Sequence, residues 1–183
     1  LNFGKDKDVV TIEIEHVNAD ALAELENQGI KVVPNSNIIK TIQQKILQKQ
    51  FYKAHDIPSP EFEIMDGSSD EIKIDFPFVQ KLNTGGYDGK GVNVLKSETD
   101  ALTSFDAPSI IENKIPFQKE LSVIVARNEK GEMTTFPCVE CEFNPEANLV
   151  EFLFSPADID SNVEKQADEI AKDIIQKLDM VGL

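Results

Sequence analysis

The hydrophobic period changes several times along the chain, and each change marks an element. Val9 to Glu15 alternate, with Ile12 and Ile14 on one side and Thr11, Glu13 and Glu15 on the other. A period of two predicts a half-buried strand, because successive strand side chains point to opposite faces. Asn18 stands where a helix N-cap belongs, Leu22 and Leu25 recur at helical spacing across Ala19 to Gln28, and Gly29 supplies the C′ stop. Ile30 to Val33 is a strand again. This strand–helix–strand run reads as the last unit of a parallel α/β layer.

From Ser36 to about Ala54 one helix is expected, capped by Ser36 or Asn35. Ile38, Ile39, Ile42, Ile46 and Phe51 form its apolar side, and Lys40, Lys45, Lys49 and Lys53 lie on its solvated faces. Ile57-Pro-Ser-Pro60 cannot continue a helix, since proline lacks the amide donor and restricts the residue before it. It reads as a hinge.

Strands and turns follow. The predicted strands are Phe62 to Met65, Phe78 to Lys81, Val92 to Leu95, Ser109 to Glu112, Leu121 to Arg127, Met133 to Glu142 and Leu149 to Phe154. Gly67-Ser-Ser-Asp70 reads as a loop and cap, and Asn128-Glu-Lys-Gly131 as a hairpin turn. Asn162 is expected to cap a final helix that buries Val163, Ala167, Ile170, Ile174 and Leu178. The chain closes on Val181-Gly-Leu183, in position to start a further strand. The class is α+β.

Composition narrows the function. The 183 residues carry a net charge of −15 and a single arginine, Arg127. Duplex nucleic acid is disfavoured as a general partner, because neutralising phosphates needs clustered cations. The acidity reads as solubility, and a small anionic ligand stays open because local lysines can outweigh the net field. Apolar runs are strand-sized, far from the roughly 20 residues that span a bilayer, so no membrane partner is expected. Cys138 and Cys141 are too few for a disulfide-dense secreted protein and suit a reducing cytoplasm. On one predicted strand, Phe136 to Phe143, the two thiols point apart, and a zinc site would need two further ligands. They read as ordinary strand cysteines, and His16 and His55, isolated in the sequence, as structural or exposed. The first residue is Leu1, which reads as a processed or cropped chain.

The richest stretch is Phe76-Pro-Phe-Val-Gln-Lys81-Leu-Asn-Thr-Gly85-Gly-Tyr-Asp-Gly-Lys90-Gly91. A short strand delivers Lys81, and a loop with four glycines follows. Glycine allows positive φ and close approach to a ligand, successive amides in such a loop form an anion-binding concavity, and a lysine adds a point charge. The pattern fits a flap over a nucleotide, although it has neither the G-x-x-x-x-G-K-[ST] order nor G-x-G-x-x-G. Alone, the loop is also compatible with a plain hairpin.

Downstream stand Ile110-Ile-Glu112-Asn-Lys-Ile115, then Pro116-Phe-Gln-Lys-Glu120-Leu-Ser-Val, then Ala126-Arg127 with Gly131-Glu132. Upstream stand Thr11-Ile-Glu-Ile-Glu-His-Val17 and Gln44-Lys45-x-x-x-Lys49. Taken in order, these resemble the ATP-grasp superfamily and, more narrowly, the carboxyaminoimidazole ribonucleotide synthases of purine biosynthesis, which include the ATPase subunit of phosphoribosylaminoimidazole carboxylase. The resemblance covers nearly the whole chain.

The resemblance implies a partial ATP-grasp fold preceded by the last strand–helix–strand unit of a pre-ATP-grasp domain. Residues 1–35 would be the remnant of that domain, 36–60 a connecting helix and hinge, and 61–183 an ATP-grasp domain incomplete at its C-terminus. It implies ATP, bicarbonate and aminoimidazole ribonucleotide as ligands, Mg²⁺ as cofactor with its ligands beyond Leu183, and a homodimer as a common assembly. Lys45 would reach the ATP phosphates from the helix, Lys81 would contact the α and β phosphates, and Gly86, Tyr87, Asp88, Gly89, Lys90, Gly91 and Val92 would form the flap. Glu112, Asn113, Lys114 and Ile115 would flank adenine, and Glu120 would hold the ribose hydroxyls. Tyr87, Asp88, Lys90 and, more weakly, Glu15 would face the other substrates; no catalytic residue is assigned.

The sequence also departs from the family. Phe143 stands where many members have a histidine near the nucleotide and is left out of the site, and the magnesium ligands are absent. The chain is therefore expected to be a middle portion that binds nucleotide without turning over. A noncatalytic nucleotide-binding module and another ATP-grasp ligase or carboxylase are the alternatives, the latter disfavoured by Tyr87-Asp88.

Overall fold

The structure is a computed structural model and describes residues 1–67, 72–86, 90–144 and 149–183. In chain order the first elements are β1 (Val9–Thr11), α1 (Ala19–Asn27), β2 (Lys31–Val33), α2 (Ser36–Gln43) and α3 (Lys45–Ala54). Then come β3 (Phe62–Met65), β4 (Phe78–Leu82), β5 (Val92–Leu95) and β6 (Ser109–Asn113). The remainder comprises β7 (Glu120–Ser122), β8 (Val125–Arg127), β9 (Met133–Thr135), β10 (Val139–Asn144), β11 (Leu149–Phe154) and α4 (Ser161–Lys177).

Two compact units share the chain. The first takes residues 1–43, 123–138 and 156–183. In it β1 and β2 pair in parallel, Val10 opposite Val32, with α1 as the connection. The Asn18 side chain accepts from the Ala21 amide at 2.8 Å, as an N-cap should. Val10, Leu22, Leu25, Val32 and Ile39 close a small core. A side-chain oxygen of Asn35 accepts from the Ile38 amide at 3.1 Å, so Asn35 is the cap of α2. Ser36 lies inside the helix, buried, with its amide and hydroxyl both donating to the Glu26 carboxylate. The strand predicted to run to Glu15 stops at Thr11, and Glu15 lies exposed in the bend that follows.

Strands β8 and β9 form the expected hairpin, whose turn the Asn128 side chain braces by accepting from the Lys130 and Glu132 amides. Helix α4 differs from its prediction in two ways. Its cap is Asp160, which accepts from the Asn162 amide at 2.8 Å. The arc it covers includes Ala171 and Ile175, which with Ile174 line an apolar groove against Val123 and Val125. Val163 and Ile170 therefore stay exposed, because the β8–β9 side of the unit selects a rotated face.

The second unit takes residues 44–122 and 139–155. It holds an antiparallel sheet in the order β3-β6-β4-β5 and a second sheet in the order β11-β10-β7. Met65, Phe78, Leu95 and Ile111 form the core beneath the first sheet, with Ile72 and Ile74 packed against it. Gln80 is buried there as well. Its amide nitrogen donates to the Phe105 carbonyl and the Ser109 hydroxyl, and its oxygen accepts from the Phe105 amide, so burial leaves neither end unpaired.

The single helix expected over 36–54 is two helices. Gln44 is extended (φ −119°, ψ 111°) and separates α2 from α3. The reason is tertiary: Asn83, just past β4, takes the Lys45 amide on its backbone oxygen and the Ile46 amide on its side chain, each at 3.0 Å. The long strands predicted at Leu121 to Arg127 and Met133 to Glu142 are each divided, into β7 and β8 and into β9 and β10, and the parts belong to different units.

Candidate functional site

Alternation along three strands of the second unit puts one set of side chains into the core and the other into a cleft of about 810 Å³. Phe78, Gln80, Ile111 and Leu95 point inward. Val79 and Lys81 on β4, Ile110 and Glu112 on β6, and Val92 and Val94 on β5 face the cleft. The volume lies in the range of small-molecule sites, and the mixture of apolar wall and few polar groups is what such sites use.

Register then decides which charges meet. Lys81 lies opposite Ile110 and Glu112 opposite Val79, so Lys81 and Glu112 are diagonal neighbours across the β4–β6 ladder. The Lys81 ammonium contacts Glu112 Oε1 directly. From α3, Lys49 Nζ lies 2.6 Å from the other oxygen, Oε2, and donates to the Ser59 hydroxyl at 2.5 Å. Lys49 was expected on a solvated face, yet its side chain is 8% exposed. The missed signal is its spacing: Lys49 lies three residues past Ile46 on the same helix, on the apolar side. The Lys49 ammonium is the one partner found for Oε2 among the described residues. Burial by itself would raise the Glu112 carboxyl, but Lys49 and Lys81 outweigh it and hold it below the usual carboxylate range.

The cleft gathers most of the predicted residues. Lys45, Lys81, Val92, Glu112, Asn113, Lys114, Ile115 and Glu120 all line it. So does Phe143, which the sequence reading set aside, together with Lys49, Tyr52 and Phe117. Burial pushes the Tyr52 phenol up, so it stays neutral. Four lysines face two carboxylates here, a local positive excess within a chain of net charge −15. Val92, Val94, Ile115 and Phe117 keep exposed apolar surface in the same place, the kind of patch that marks a binding groove. Cys141, opposite Glu120 on the β7–β10 ladder, has its thiol pushed up by burial and by the Glu120 charge; no reactive thiolate is indicated.

Gly86, Lys90 and Gly91 are not part of the cleft lining; they form the two ends of the glycine loop. The Leu82 amide donates to the Gly91 carbonyl at 2.8 Å, which closes the loop just beyond the β4–β5 pairing. Tyr87, Asp88 and Gly89 lie outside the described residues. Glu15 belongs to the first unit. Among the described residues no group of three or more His, Cys, Asp or Glu side chains gathers to hold a cation. No helix among them is long and apolar enough to cross a membrane.

Comparison with known proteins bears on this geometry. The family model of the ATP-grasp domain matches residues 50–183, and that of the ribonucleotide synthetase preATP-grasp domain matches residues 1–43. N5-carboxyaminoimidazole ribonucleotide synthase of Synechococcus elongatus is 34% identical over 96% of this chain and 46% of its own length. The crystal structure of the N5-carboxyaminoimidazole ribonucleotide synthetase from Thermotoga maritima has a TM-score of 0.85 at 35% identity, over 99% of this chain and 47% of that one. The Aspergillus clavatus synthase, solved with ADP and 5-aminoimidazole ribonucleotide, has a TM-score of 0.82 at 26% identity over 98% of this chain and 48% of that one. The chain thus spans about half the length of each of these proteins.

Proposed function

The chain belongs to the ATP-grasp family, and we propose that it is the nucleotide-holding portion of an enzyme that carboxylates aminoimidazole ribonucleotide with bicarbonate and ATP. The observation that carries this reading is the convergence of Lys45, Lys49 and Lys81 with Asn113, Ile115 and Glu120 on one cleft. The likeness to synthases of that name, one of them holding ADP and 5-aminoimidazole ribonucleotide, supports it.

In this reaction the γ-phosphoryl group of ATP passes to a bicarbonate oxygen, giving carboxyphosphate and ADP. The substrate amine attacks the carboxyl carbon, a C–N bond forms, phosphate leaves with the C–O bonding pair, and the amine's surplus proton passes to the departing phosphate. In the proposed arrangement Lys81 and Lys49 lie along the α and β phosphates, and Lys45 reaches the phosphates from the first turn of α3. Asn113 to Ile115 offer backbone groups to the base edge while Ile115 packs on its face. Glu120 accepts hydrogen bonds from the ribose hydroxyls. The loop from Gly86 to Val92 covers the phosphates and excludes water, which would otherwise hydrolyse the activated carboxylate. Tyr87, Asp88, Lys90 and Glu15 are proposed for the substrate side. Mg²⁺ would screen the phosphate charge when bound.

A noncatalytic nucleotide-binding module is the second reading. It is favoured by Phe143, which lines the cleft with a ring that donates no hydrogen bond. Calorimetry with ATP, alone and with aminoimidazole ribonucleotide and bicarbonate present, separates the cases. ATP binding that tightens when the two other substrates are added supports the enzyme portion. ATP binding indifferent to both supports the module, and a cleft that takes no ATP removes both.

A further inference from the structure

Two of the four lysines that line the cleft are not independent. Lys81 stands on a strand and is one-third exposed; Lys49 stands on a helix and is almost sealed from solvent. One carboxylate, Glu112, spans them, one oxygen to each, and is itself 6% exposed. We propose that Glu112 is a positioning residue of the nucleotide site: its buried carboxylate ties Lys81 and Lys49 into a fixed pair of ammoniums that the phosphates of the nucleotide then meet. This rests on the reading of the cleft as an ATP site.

Each ammonium has three donors; Glu112 takes one on each and the Ser59 hydroxyl a second on Lys49, which leaves two on Lys81 and one on Lys49 for a ligand. The other charged and titratable groups facing the cleft are Lys45 and Tyr52 on α3, Lys114 beyond β6 and Glu120 on β7. Behind Lys49 a smaller hollow of about 360 Å³ is lined by Lys53, Glu61 and Glu63. None of these is shown spanning Lys49 and Lys81 as Glu112 does. Without Glu112, two like charges sit close together and Lys49 is a buried cation with its carboxylate partner gone, an arrangement that proteins relieve by moving or neutralising the group. The alternative role for Glu112 is that of an internal competitor, an anion the phosphates must displace. Oppositely directed effects separate the two.

The test uses the 183-residue chain, its Glu112→Gln variant and its Glu112→Asp variant, with ATP and adenosine as probes followed by ligand-observed NMR. If Glu112 positions the lysines, Glu112→Gln weakens ATP at least tenfold and adenosine less than twofold, and Glu112→Asp, which keeps the charge, recovers part of the ATP affinity. Equal losses for ATP and adenosine would mean a merely structural role and overturn the proposal. Unchanged or tighter ATP binding would do the same, the latter marking a competitor. Should Glu112→Gln not fold, Glu112→Asp decides alone: a loss confined to ATP supports positioning, and any other pattern overturns it. A wild-type chain that binds no ATP sinks the nucleotide reading itself, a result distinct from every variant outcome.

Discussion

Gly91 is backed against Gly86: a Cβ on Gly91 would lie 2.9 Å from the Gly86 Cα, and Gly91 has φ +80°. A Cβ on Gly86 would in turn lie 2.9 Å from the Lys90 carbonyl oxygen. The glycine loop is pinched where it leaves and rejoins the strands, and two backbones pass where side chains have no room. Gly85 differs, with φ +80° but nothing within 4 Å of its would-be Cβ.

Gly91→Ala therefore carries both strain and a backbone clash, while Gly85→Ala carries strain alone. Left-handed backbone at a non-glycine residue costs about 1–2 kcal/mol, so Gly85→Ala should lower stability by roughly that amount. Gly91→Ala should cost more and also weaken ATP binding. Urea titrations of both variants check the order; equal losses would refute the pinch.

Asn83 caps α3 from another element, and its side chain holds the Ile46 amide at 3.0 Å. Asn83→Ala is expected to cost about 1 kcal/mol, the usual worth of a helix cap, measured by denaturant unfolding. Because α3 presents Lys45 and Lys49 to the cleft, ATP affinity should fall as well. A variant as stable as the parent would show that α3 starts without this cap.

The Glu112 carboxyl has a folded-state pKa below its ordinary value of 4.5. A depressed acid contributes stability that is fully present above its unfolded pKa and is lost as pH falls through the folded one. At pH 7 the parent should exceed Glu112→Gln by about 1.5–3 kcal/mol, the worth of hydrogen bonds to charged groups. The gap should shrink as the pH is lowered below 4.5. Paired unfolding curves at neutral and acid pH measure it, and a gap that widens in acid would reverse the assignment of the charge.

Removing Lys81 or Glu120 deletes a proposed contact to phosphate or ribose. Lys81→Ala and Glu120→Ala should each weaken ATP tenfold or more in calorimetry, since charge-assisted contacts are worth about 1.5–3 kcal/mol. Lys53→Ala, on the exposed side of α3, should change affinity less than twofold. Losses of equal size in all three would point to general electrostatics instead of a built site.

The glycine loop and its lysine stood out by residue type and spacing, whereas the two downstream glutamates were legible only through the family resemblance; Lys81, Glu112 and Glu120 do line one cleft. The β4–β5 hairpin, the β1–α1–β2 unit and the Asn18 cap were legible because period and capping chemistry act over a few residues. Lys49 was not, because a lysine reads as solvated unless something buried awaits it, and Glu112 lies 63 residues further on. The break at Gln44 was hidden for the same reason, since its cause is Asn83. Phe143 was set aside for lacking a donor, yet cleft lining depends on position as well as on hydrogen bonding.

Local chemistry in the sequence thus determined the type and order of most elements, which residues can take positive φ in the loop, and which side chains carry charge suited to a phosphate. Tertiary structure decided which of those charges meet: β-sheet register set Lys81 diagonal to Glu112, and the seat of α3 brought Lys49 to the same carboxylate. Ion pairing needs contact at a few ångströms. Only the packed chain brings residues so far apart in sequence to that distance.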